Sequence, residues 1–64
     1  MQQGGYYKLV YLDGTEYHFQ VLEILSEHRD IRLLTNMNKE LRLADILSKR
    51  WLELVEVTQQ AAGF

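Results

Sequence analysis

Residues 39–47 read KELRLADIL, and they fit two structures. As a helix, Leu41, Ala44, Ile46 and Leu47 form an apolar stripe. As a strand that ends in a tight turn, Leu41 and Leu43 face inward while Glu40 and Arg42 face water. The preceding residues decide between them. In IRLLTNMNKELRL, residues 31–43, Asn36–Asn38 reads as a three-residue loop, with Asn38 in the left-handed region that asparagine tolerates. The pairs are then Thr35 with Lys39, Leu34 with Glu40, Leu33 with Leu41, Arg32 with Arg42, and Ile31 with Leu43. Each inward pair is apolar on both strands, as a correct register requires. The helical reading offers no such agreement, so residues 39–43 are read as strand.

The rest of the chain follows the same rhythm. YYKLVYLDGTEYHFQVLEIL, residues 6–25, is dense in β-favouring residues and carries Asp13-Gly14 between two such runs, a strong hairpin signal. Leu9 and Tyr11 share a face with Tyr17, Phe19 and Val21, while Glu16, His18 and Gln20 point away. SEHRD, residues 26–30, breaks the pattern as a loop does. ADIL leaves the strand in one 3-10-like turn, and WLELVEV, residues 51–57, supplies a last strand. Five short strands predict an all-β, five-stranded small barrel of SH3 or Sm type over residues 1–57. TQQAAGF, residues 58–64, reads as a frayed tail. The predicted core is Leu9, Tyr11, Phe19, Val21, Ile31, Leu33, Leu41, Leu43 and Ile46. A rival division into helices at 19–28, 31–41 and 44–57 has the look of a winged-helix DNA-binding domain. It leaves no residues for a wing after Val57 and turns Glu53 and Glu56 toward phosphate.

The chain of 64 residues has a globular balance, with 47% hydrophobic and 25% charged residues. A domain this short buries about 60% of its unfolded surface, so its core is small. Without cysteine it has neither disulfide nor thiolate metal site, which fits a reducing cytoplasm. No apolar run approaches the roughly 18 residues of a membrane span. MQQGG lacks the basic start and apolar run of a signal peptide. The net charge of −2 is unevenly spread: residues 1–28 sum to −3, residues 29–50 to +3, and the remainder to −2. All four arginines, Arg29, Arg32, Arg42 and Arg50, fall in the middle segment, where a basic band can steer a partner.

YLDGTEYHFQVLEIL followed by KELRLADIL resembles the bacterial Rho-binding antiterminators, small proteins with an Sm-like barrel. The matching residues are Asp13, Gly14, Glu40, Leu41, Arg42, Leu43 and Ile46, and the likeness spans residues 8–47. It implies a small barrel and a partner in the transcription or RNA machinery, Rho itself being one. That family's acidic N-terminal helix, which helps contact Rho, has no counterpart in the few residues before the first strand.

An enzyme is not expected. His18 and His28 are the only histidines, and no nucleophile, base and orienting group assemble around them. Glu27, His28 and Asp30 make a weak metal set without a fourth ligand, and QQGGYY lacks the lysine and helix of a phosphate loop. No cofactor is implied.

A binding module is the better class. Val10, Leu12, Leu22 and Leu34 fall on the outward parity of their strands and can form a patch that a partner covers. Arg32 opposite Arg42 is unfavourable unless an acid lies between them, whether from this chain, through Asp30 or Glu40, or from a partner. The candidate partner-binding residues are therefore Arg29, Arg32, Arg42, Leu12, Leu22, Leu34 and Trp51. A direct nucleic-acid binder would use Arg29, Arg32, Arg42, Lys49 and Arg50, with Tyr6, Tyr7 or Trp51 stacking on bases; the pI of 5.5 weighs against it. A homo-oligomer through open strand edges is a third expectation.

Overall fold

The computed structural model describes all residues, 1–64. Five strands run β1 (Tyr6–Tyr11), β2 (Glu16–Leu25), β3 (Asp30–Thr35), β4 (Glu40–Arg42) and β5 (Trp51–Val57), with one short helix, α1 (Leu43–Leu47), before the last strand. They form a single antiparallel sheet in the order β4-β3-β2-β1-β5. The helical division at 19–28, 31–41 and 44–57 is thereby overturned, because the first two segments are largely strand and the third holds β5 after the single short helix.

The residues that chose strand over helix behave as their turn chemistry requires. Asn38 has φ 62°, and the Thr35 N–H donates to the Lys39 carbonyl at 2.8 Å. Leu33 pairs with Leu41, Arg32 with Arg42 and Leu34 with Glu40. Thr35 is buried at the end of β3, and its hydroxyl accepts the N–H groups of Met37 and Lys39. At the first hairpin Gly14 has φ 89°, which a side chain would disfavour.

The register stops one residue short of expectation. Leu43 does not pair with Ile31 but opens α1, so the turn before β5 is α-helical, and the 3-10 turn lies instead at Ser26–His28. The reason is a cap delivered from β3. The N-cap position, Arg42, makes no side-chain capping bond, yet the Ala44 N–H donates to Asp30 Oδ1 at 3.0 Å. That bond satisfies one of the amides that a helix start leaves without a partner. Across the molecule, the buried Tyr11 hydroxyl donates to the Ile46 carbonyl and ties α1 to β1.

The core lies on one face of the bent sheet. Leu9, Tyr11, Phe19, Val21, Leu33 and Ile46 are buried, with Ile31, Leu41 and Leu43 packed against them, as expected. Tyr7 belongs there too, stacked on Phe19 at 5.9 Å with its hydroxyl accepting the Gln2 N–H. Leu47 and Leu54 also pack against the cluster. β2 bends at an irregularity between Val21 and Glu23, and β5 shifts register against β1 beside Tyr11. The sheet does not close: β4 and β5 end as its two margins, with no ladder between them.

The last residues, read from sequence as a frayed tail, are placed in turns against the sheet. Residues 58–64 wind into turns held by bonds from the Ala62, Gly63 and Phe64 N–H groups to the Thr58, Gln60 and Gln59 carbonyls. Ala62 is 0% exposed, and Phe64 meets Tyr6 edge-on at 5.1 Å. Because Tyr7, Leu9 and Tyr11 point into the core, Tyr6 faces the opposite side, and the tail packs on that outer face.

Candidate functional site

The two arginines at the centre of the basic segment lie opposite each other, and both are answered from within the chain. Arg32 Nε lies 3.3 Å from Glu23 Oε1, and its Nη1 bonds Glu40. Glu40's hydrogen bond raises the Arg32 guanidinium above its usual range. Arg42 Nη1 lies 3.8 Å from Asp30 Oδ2. The amides of Ala44 and Ile31 hold the Asp30 carboxyl below the usual carboxylate range, with Arg42 adding to them. The cross-strand repulsion is thus relieved by local acids, Asp30 and Glu40 as weighed from sequence and Glu23 in addition. Lys49 is likewise engaged, 2.6 Å from Asp13. Arg29 ends the 3-10 turn at φ 51°, exposed and without an ion pair, and it stands apart from the Arg32–Arg42 pair as a loop residue.

The three outward leucines and the valine do not make one patch. Val10, Leu22 and Leu34 are half-buried on the face where the tail packs. Leu12 is 57% exposed and lies beyond the end of β1, where it joins Trp51 in lining a shallow concavity of about 390 Å³ with Leu47 and Arg50. Beside it, Trp51 is 43% and Leu52 66% exposed at the start of β5, whose far edge pairs with nothing. Leu52 was not legible as a surface residue, because nothing local says that the last strand remains a margin.

The aromatic candidates divide. Tyr7 is 7% exposed inside the core and cannot stack on a base. Tyr6 carries Phe64. Trp51 alone of the three remains largely open. Tyr17, expected inward, is 39% exposed at the mouth of a cleft between the first hairpin and α1, where its ring meets Tyr11 at 77°.

Glu27, His28 and Asp30 do not converge: Asp30 turns back to the Ile31 and Ala44 amides, and no group of three or more His, Asp or Glu side chains is placed to hold a metal. His18 lies 3.6 Å from Glu16. No helix is long and apolar enough to cross a membrane.

The fold and surface together define a small all-β module whose sheet ends in two unpaired strand edges, β4 and β5. The chain matches no protein-family model, no curated protein and no solved structure.

Proposed function

We propose that the protein is a non-enzymatic binding module that docks on a larger protein through the start of β5. The observation that carries this reading is the exposure of Trp51 and Leu52 at the start of a seven-residue strand whose outer edge is unpaired, with Leu12 beside Trp51. Exposed apolar side chains beside unpaired backbone groups suit an extended partner segment, which adds hydrogen bonds to the edge and places alternate side chains on the patch. We read the open sheet as a small SH3- or Sm-type barrel left unsealed between β4 and β5. The resemblance to the Rho-binding antiterminators favours a cytoplasmic partner in the bacterial transcription or RNA machinery, Rho among them. Direct nucleic-acid binding fits less well, since Arg32, Arg42 and Lys49 already hold carboxylates and the pI is acidic.

The test compares capture from a bacterial lysate by the wild-type protein and by Trp51→Ser/Leu52→Ser, with and without nuclease. A protein band that survives nuclease and disappears in the double variant supports the reading. A band lost on nuclease treatment, or retained by the variant, defeats it.

A further inference from the structure

The core face of the sheet remains open beside the first hairpin, and the opening is a cleft of about 510 Å³, within the size range of ligand pockets. Leu41 and Ile46 give it an apolar lining, Tyr11 and Tyr17 are aromatic walls, and Glu16, Asp45 and Lys49 supply charge. Part of the cleft is filled from within. Lys49 Nζ lies 4.8 Å from the Tyr11 ring centroid and 2.6 Å from Asp13 Oδ2, so a cation rests on an aromatic ring beside a carboxylate. The other part has the same components without the cation. Tyr17 keeps its ring exposed although strand parity points it inward. Asp45 makes no ion pair or side-chain hydrogen bond, and Glu16 reaches only His18, a charge partner only when the imidazole is protonated. With Lys49 balanced by Asp13 and Glu16 turned to His18, Asp45 leaves the cleft negative.

We infer that this cleft binds a guanidinium, the arginine side chain of a partner polypeptide. A planar cation lies against the Tyr17 ring while its fork of N–H donors meets the Asp45 carboxylate. An anion would face the Asp45 carboxylate. A quaternary ammonium has no N–H to give it. A lysine ammonium, compact and strongly hydrated, gains less from the ring. The cleft shares only Lys49 with the concavity that Trp51 lines, so this site and the β5 docking surface stand or fall separately.

The experiment is a titration of the intact protein with a capped Gly-Arg-Gly peptide, followed by backbone-amide NMR, against the same peptide with lysine or citrulline in place of arginine. Saturable shifts confined to Glu16, Tyr17, Asp45 and their neighbours are expected with arginine, weaker ones with lysine, and none with citrulline. Asp45→Asn, at an exposed position without side-chain bonds, keeps the fold and weakens the arginine peptide about tenfold, as does Tyr17→Leu. Trp51→Ser leaves the binding unchanged. Shifts that do not saturate, equal binding of citrulline, or full affinity in Asp45→Asn would overturn the assignment, as would loss of binding in Trp51→Ser.

Discussion

Replacing Leu33 and Leu34 by alanine, one at a time, tests the register on which the fold depends. Leu33 is 0% exposed, set between Val21 on β2 and Leu41 on β4 in an inner strand. Its truncation removes buried methyl groups where the neighbours are held by ladders on both sides, so the cavity cannot readily collapse. The cost is about 2–5 kcal/mol. At roughly 0.05–0.15 kcal/mol per residue, a domain of this size has a total stability of about 3–10 kcal/mol, so Leu33→Ala removes a large share of it. Leu34, its neighbour, points to the outer face, where it is half-buried between Gln20 and Glu40, and its truncation should cost about 1 kcal/mol. The assay is urea unfolding followed by circular dichroism and by the single tryptophan, Trp51. With a slope of about 1 kcal/mol per molar, Leu33→Ala lowers the midpoint by about 2 M or more, or abolishes the folded baseline. Because a one-residue slip exchanges the two faces, a larger loss for Leu34→Ala than for Leu33→Ala would refute the register.

Three further outcomes are expected. Arg42→Glu should lower the melting temperature, although on sequence grounds it exchanges a cross-strand repulsion for an attraction: Asp30 loses its cation and gains a neighbouring carboxylate. An unchanged or higher melting temperature would show that the Asp30 contact contributes nothing. In acid, stability should fall through two carboxyls held below their unfolded value of 3.8, Asp13 by Lys49 and then Thr15, and Asp30 by the Ala44 and Ile31 amides. Their contribution is complete above that value and is lost as pH falls through the folded ones, so Asp13→Asn should be less stable than wild type at neutral pH and less sensitive to acid, as read by melts across the range. Phe64→Ala should cost about 1 kcal/mol by removing the edge-on contact with Tyr6, and amide exchange at Ala62 and Gly63 should quicken; an unchanged exchange rate would mean that the tail is held by its turns alone.

Local chemistry made the strands and their pairing legible. Asp13-Gly14 specifies a hairpin, Asn38 accepts the left-handed conformation, and alternation selects Leu33 with Leu41 and Phe19 with Val21, because these choices depend on residues a few positions apart. The basic segment and the outward leucines were visible in the same way. What became of them was not. Whether Arg32 and Arg42 face a partner or an acid depends on Glu23, nine residues from Arg32, and on Asp30, which β3 also supplies as a cap for α1. The burial of Tyr7 and Ala62, the exposure of Tyr17 and Leu52, and the half-covered state of Leu22 and Leu34 all depend on where the sheet bends and what packs on each face. Period-two alternation states which side of a strand a residue occupies. Only the tertiary structure, by leaving the sheet open between β4 and β5 and laying the tail on its outer face, determined which of those sides meets water.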